Sequence, residues 1–254
     1  MRYAGAAVVL VFALAPFCWV VLSGLIPEVA ILDSPPRWLR YGLIDDNYRY
    51  IFTGRIPEAY EVGGQLRKMI SQEVRQVPRA ALNSGLVALA VLLLNWLLGA
   101  PAAYAYARLR FPGKAASFYL IAASRLIPAV ALAIPYFLII QRLGLLDRHL
   151  ALILVHTVLT LPFTILILTL YVRTIPHEIE EAAQLDGAGR GTVLWRMVLP
   201  LALPSLVGTG LFAFMTSYSE FLFALLITTS AASRTLPVTL ASISRNPDVT
   251  WSLL

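Results

Sequence analysis

Four uncharged runs, residues 3–27, 80–107, 149–172 and 197–219, each exceed the roughly 20 apolar residues a helix needs to cross a bilayer. A fifth, residues 115–141, is as long and is broken only by Arg125. Runs of that length, repeated along one chain, leave little choice of architecture. They predict an all-α, polytopic transmembrane helical bundle, with spans at about 4–27, 83–107, 115–141, 150–172 and 204–229. Composition agrees: 59% of residues are hydrophobic and 13% charged, against roughly 25% charged in a soluble domain.

The loops then set orientation. Arg108, Arg110 and Lys114 form the densest basic cluster in any short loop, which favours the cytoplasmic side. An even number of crossings puts Arg2 and the polar stretch after the fourth span on that side too. Residues 28–79 become an outer loop; its eight basic residues are tolerated because long loops obey the charge rule weakly. Pro27, Pro35 and Pro36 open that loop with a turn. Leu66, Met69, Ile70, Val74 and Val77 then fall at helical spacing and predict one short amphipathic helix. The +6 net charge is spread over loops, with no basic stripe of the kind that binds nucleic acid. The single cysteine, Cys18, lies in the first span, which excludes an internal disulfide.

Residues 173–199 are the exception to this apolar pattern. Pro176 suits the first turn of a helix, and Glu178, Glu180 and Glu181 favour its positive end. Ile179, Ala182, Ala183 and Leu185 form a small-sided apolar patch, and Gly187 and Gly189 allow a sharp reversal. A second short helix, 192–199, is expected to stop at Pro200. The product is a helix–turn–helix knob that another backbone can approach closely.

The order of residues in this knob carries a resemblance. Glu181, Ala182, Ala183, Gly187, Leu199 and Pro200, with Met197 in an Ile position, match EAA-x3-G-x9-I-x-LP, the signature of ABC-importer permease subunits. AYAYARLRFPGK, RLGLLDRHLALILVHTVLTLPF, IPHEIEEAAQLDGA and SYSEFLFALLIT resemble the carbohydrate-uptake, maltose- and trehalose-type branch. NYRYIFTG and RAALNS are similar to the same branch. The resemblance implies a single transmembrane permease domain over residues 1–254, of the type I importer kind. It implies pairing with a second homologous permease to form the path of a disaccharide or oligosaccharide. Two ATPase subunits would bind ATP and Mg and dock on the knob, and an extracytoplasmic solute-binding protein would deliver the sugar. The setting it implies is a bacterial or archaeal plasma membrane. On this reading Glu181, Ala182, Ala183, Leu185, Asp186, Gly187 and Arg190 face the ATPase. Such permeases usually have a sixth span after the segment resembling ISRNPDVTWSLL, so a sixth is expected and is missing beyond Leu254 in the present sequence.

No GxxxxGK[ST] phosphate cradle is present; FPGKA has the Gly-Lys alone. No HExxH or GxSxG occurs, and the three histidines are scattered. The chain is therefore read as a non-catalytic subunit with no cofactor or metal of its own. Within the spans, Arg125 lies eleven residues beyond Lys114, roughly 16 Å up a helix and so near mid-bilayer. Glu220 falls late in the fifth span. Such groups should face protein or water, and Arg125, Ser217, Tyr218 and Glu220 become candidates for the translocation path. His156, mid-span, reads as a hydrogen-bonded packing residue. The alternative is a secondary transporter, or an ABC permease for a non-sugar solute; repeated halves with broken helices, the mark of the former, are not found in the sequence.

Overall fold

The computed structural model describes residues 2–26, 42–54, 61–62, 65–66 and 72–245. Its elements are helical apart from one antiparallel pair, β1 (Glu61–Val62) with β2 (Gln65–Leu66). Among the described residues, three helices are long and apolar enough to cross a membrane, or up to five if each of two bent pairs is one span. The chain divides into two compact units, residues 1–79 with 238–254, and residues 80–237.

In the first unit, α1 (Arg2–Gly24) is exposed along its apolar length, as a helix solvated by lipid would be. The Asn47 side chain, on α2 (Asp46–Thr53), donates to the Gly24 carbonyl at 2.9 Å. Tyr50, Val74 and Ile243 are buried together, with Ile51 and Val77 against them. The amphipathic helix expected over residues 66–77 does not form as such. Leu66 sits in β2, Val74 in a 3-10 turn (Gln72–Gln76), and Val77 opens the next long helix. Residues Met69 and Ile70, like the Pro27–Pro36 turn and the region beyond Arg245, lie outside the described residues.

The second unit is built around α3 (Val77–Arg108) and α6 (His149–Thr174). They approach closely where Gly99 meets Thr164: a Cβ on Gly99 would lie 2.7 Å from the Thr164 methyl. Asn95 fills the same contact, its amide donating to Thr160 Oγ1 at 2.8 Å and its carbonyl accepting from Thr164 Oγ1 at 2.9 Å. Buried polar groups matched this way fix the register of two otherwise greasy helices.

Two expected spans are bent. Residues 115–141 form α4 (Lys114–Ser124) and α5 (Ala129–Arg142), which turn through 101° at the break. Pro128 causes it, since a proline drives the preceding residue out of the helical region. The second short helix of the knob runs further than expected, as α8 (Arg190–Leu201), straight through Pro200. A π stretch, Leu194–Val198, lies just ahead of that proline, the kind of local rewinding that absorbs a break in the bonding ladder. The chain then bends 81° into α9 (Leu203–Tyr218). The fifth span is likewise no single helix: α9 stops at Tyr218 and α10 (Leu222–Ile227) starts anew. The last described helix is α11 (Leu236–Ser244).

Candidate functional site

The knob begins at the end of α6. Pro176 is the residue before α7 (His177–Leu185) rather than inside its first turn, with an extended ψ of 134°. Helix α7 ends at Gly187, whose φ of +87° is open to glycine at little cost. Gly189 is extended, at φ −70°, and leads into α8, so one glycine makes the reversal and the other a helix entry. Glu181, Ala182, Asp186, Gly187 and Arg190 are exposed, and Leu185 is 90% exposed. Leu185 is thus a large apolar side chain at the exposed end of α7. Ala183 departs from the expected docking face. It is buried in a cluster with Ala100, Ala103, Val172, Val193 and Val198, so it mounts the knob on the spans.

The mount has an ionic part that sequence reasoning missed. Glu180 is 1% exposed. Its Oε1 accepts from Arg108 Nε at 2.5 Å and its Oε2 from the Tyr104 hydroxyl at 3.0 Å. Arg108 Nη2 also donates to the Ile175 carbonyl at 2.6 Å. The sequence presents Arg108 as a topology signal and Glu180 as a dipole-matching residue; Tyr104, four residues before Arg108 on the same face of α3, is the available clue.

Farther along the unit, a cavity of about 570 Å³ is walled by α5, α6, the end of α9 and the two breaks. Arg125 and Glu220 both line it, with Tyr136 and Phe223 among the apolar neighbours. Both residues lie in breaks rather than mid-helix, which corrects the positions expected from a straight span. Arg125 follows the end of α4, is exposed, and donates to the Leu159 carbonyl at 2.7 Å. Glu220 caps α10, accepting from the backbone N–H of Phe223 at 3.0 Å and of Ala224 at 3.1 Å. Its Oε2 also meets His156 Nε2 at 3.2 Å, and His156 Nδ1 meets Ser217 Oγ at 2.8 Å. Ser217 is therefore a buried support behind the wall. Tyr218 stacks on Phe214, with centroids 5.8 Å apart, and is not a lining residue of the cavity. The packing role read for His156 gains a specific object, the Glu220 carboxylate.

A third polar joint closes the opposite end of α6. Asp147 has φ +61°, an uncommon value outside glycine. Its N–H donates to the Ile227 carbonyl at 2.9 Å. Oδ1 accepts from the Thr229 and Ser230 N–H groups at 2.8 and 2.9 Å, and from the Ser233 hydroxyl. These donors, the Ser230 contribution foremost, hold its carboxyl well below the usual carboxylate range. Nearby, the Asn83 amide donates to the Ala232 and Arg234 carbonyls.

Bent and broken apolar helices, a mostly apolar cavity that Arg125 and Glu220 both line, and an exposed helical knob are the features of a multi-pass membrane protein. The family follows from comparison: residues 81–254 match the binding-protein-dependent transport system inner membrane components, and the chain belongs to that family. It is similar to the trehalose transport system permease protein SugB of Mycobacterium tuberculosis, 33% identical over 236 residues, 92% of this chain and 77% of that protein. It is also similar to the trehalose/maltose transport system permease protein MalG of Thermococcus litoralis, 30% identical over 237 residues, 93% of this chain and 78% of the relative. The crystal structure of a bacterial ABC transporter involved in the import of the acidic polysaccharide alginate shares the fold. Its TM-score is 0.76 at 20% identity, over 98% of this chain and 81% of that one. The chain is an ABC-importer permease of the carbohydrate-uptake branch, a multi-pass membrane protein of transport. The secondary-transporter alternative falls with that assignment.

Proposed function

We propose that this permease pairs with a second, homologous permease to form the path of a disaccharide or oligosaccharide. ATP hydrolysis in two partner subunits, which bind ATP and Mg, drives it, and an extracytoplasmic solute-binding protein supplies the sugar. The plasma membrane of a bacterium or archaeon is its setting. The ATPase docks on Glu181, Ala182, Leu185, Asp186, Gly187 and Arg190, with the knob and the Arg108–Lys114 loop in the cytoplasm. Arg125 and Glu220 line the path, with His156 and Ser217 behind Glu220.

The observation that carries this reading is the knob itself: Leu185 stands 90% exposed on a helix whose other side is locked into the spans. Complexes are purified with a cysteine at Leu185 and treated with a short thiol cross-linker. The expected result is a covalent product with the ATPase subunit, and none from a cysteine at Phe52, which is exposed on α2. Copurification without an ATPase, or a Leu185 cysteine that never cross-links to it, would sink the assignment. A cysteine at Gly113 should label from the cytoplasmic side only; labelling from outside would invert the orientation.

A further inference from the structure

We propose that Tyr104, Arg108 and Glu180 form a strut that passes motion of the docking knob to the long span α3. Glu180 and Arg108 would then be positioning residues for transport. The proposal rests on the docking reading above.

Helix α7 is nine residues long, and its buried side chains are Glu180 and Ala183. Ala183 makes an ordinary apolar contact. Glu180 is different, because a carboxylate is costly to bury and stays buried only when paired and hydrogen-bonded. Its partners lie on α3, 72 and 76 residues earlier, and not on α6, which precedes α7 directly. Covalent connection already ties the knob to α6. The ion pair ties it to a second long helix, one that the chain does not join to it directly.

The geometry of Arg108 favours a stiff joint. Its planar guanidinium reaches Glu180 with Nε and the Ile175 carbonyl with Nη2, gripping both α7 and the corner before it. Tyr104, one turn back on the same face of α3, holds the second carboxylate oxygen. Sliding α7 along α3 would separate buried opposite charges and strand the tyrosine hydroxyl. The low-resistance motion is for α7 and the end of α3 to move together.

From there the contacts continue inward. The Trp96 indole on α3 donates to the Leu206 carbonyl of α9 at 2.8 Å. Asn95 is locked to Thr160 and Thr164 of α6. Helix α9 ends at the break that carries Glu220 and the cavity wall. A displacement of α3 is thus delivered to two elements that line the cavity.

The test uses the whole transporter, with both permeases and both ATPases, reconstituted in vesicles with its binding protein and sugar. Sugar moved and ATP hydrolysed are measured together, with the Leu185 cysteine cross-link as the docking readout. Glu180→Gln keeps the shape and removes the charge. The expected result is hydrolysis within about twofold of wild type, an unchanged cross-link, and at least a fivefold fall in sugar moved per ATP. Tyr104→Phe removes one hydrogen bond and should lower the same ratio by less. A merely structural contact would lower yield or thermal stability and leave the ratio alone. If Glu180→Gln fails to assemble, Tyr104→Phe decides by the ratio. An unchanged ratio in the assembled variants, with the cross-link intact, overturns the strut. A missing cross-link in the otherwise wild-type protein overturns the docking reading, and the strut falls with it.

Discussion

The two ends of α6 each hold a carboxylate, and they hold it in opposite ways. At the knob end, Glu180 is buried against a cation and a phenol. At the other end, Asp147 is half-buried, and the structure gives its Oδ1 backbone N–H and serine hydroxyl donors. The difference is one of dielectric. A charge taken fully out of water needs an opposite charge beside it, whereas one left partly wet is satisfied by dipoles. The first kind of joint fails badly when the cation is removed and the buried carboxylate loses its counter-charge; Glu180→Gln is milder, because Arg108 keeps an amide acceptor and the Ile175 carbonyl. The second loses a few hydrogen bonds and is repaired by water.

The largest expected effect therefore comes from removing one charge at the knob. Arg108→Met leaves Glu180 buried and unpaired, and should destabilise the subunit by about 3–5 kcal/mol. Adding Glu180→Met removes the orphan charge, and the double variant should recover most of that loss in thermal unfolding of the purified complex. A double variant as unstable as the single one would mean the ionic description of this end is wrong.

Next is the exposed side of the same knob. Asn and Asp both tolerate the positive φ of Gly187 better than other side chains do, and a Cβ there meets nothing within 4 Å. Gly187→Asn should thus carry some backbone strain but leave ATPase binding close to wild type. Gly187→Asp adds a charge that docking would bury, costing about 3 kcal/mol of ATPase binding and uncoupling hydrolysis from uptake. Equal behaviour of the two variants, by ATPase pull-down, would show that charge does not matter there.

What could be read from the sequence divides along the same line. Span-length apolar runs exposed the bundle, and the EAA residues exposed the knob, because both are local patterns. The Arg108–Glu180 pair, the His156–Glu220 contact and the Asp147 clip join residues 64 to 86 positions apart. No periodicity carries such pairings. The straight spans expected over 115–141 and 204–229 miss both breaks: Pro128 is a local signal that this expectation passes over, while the break at Glu220 depends on a carboxylate capping its own downstream backbone.

That capping makes Glu220 intermediate between the two ends. Glu220→Leu would leave the Phe223 and Ala224 N–H groups and His156 without their acceptor, at a cost of about 2 kcal/mol. Glu220→Gln keeps an acceptor and should assemble normally while lowering sugar uptake. Wild-type uptake and stability with Leu at 220 would remove this residue from the path and from the fold.

The smallest effect is expected at Asp147. Asn also tolerates the left-handed backbone, so Asp147→Asn changes the charge and one acceptor without adding strain. Water competes for a half-exposed group, and the loss at neutral pH should be only about 1 kcal/mol. Its pH dependence has a definite sign. The donors from Ser230, Ser233 and Thr229 lower the carboxyl pKa in the folded state. The stabilisation is then fully present above the ordinary carboxylate value and is lost as pH falls through it toward the depressed one. The difference in melting temperature between wild type and Asp147→Asn should be flat from pH 8 to 5 and should close only below about pH 4. A difference that already shrinks between pH 8 and 6 would mean that another group, not this carboxylate, holds the 227–233 segment to the end of α6.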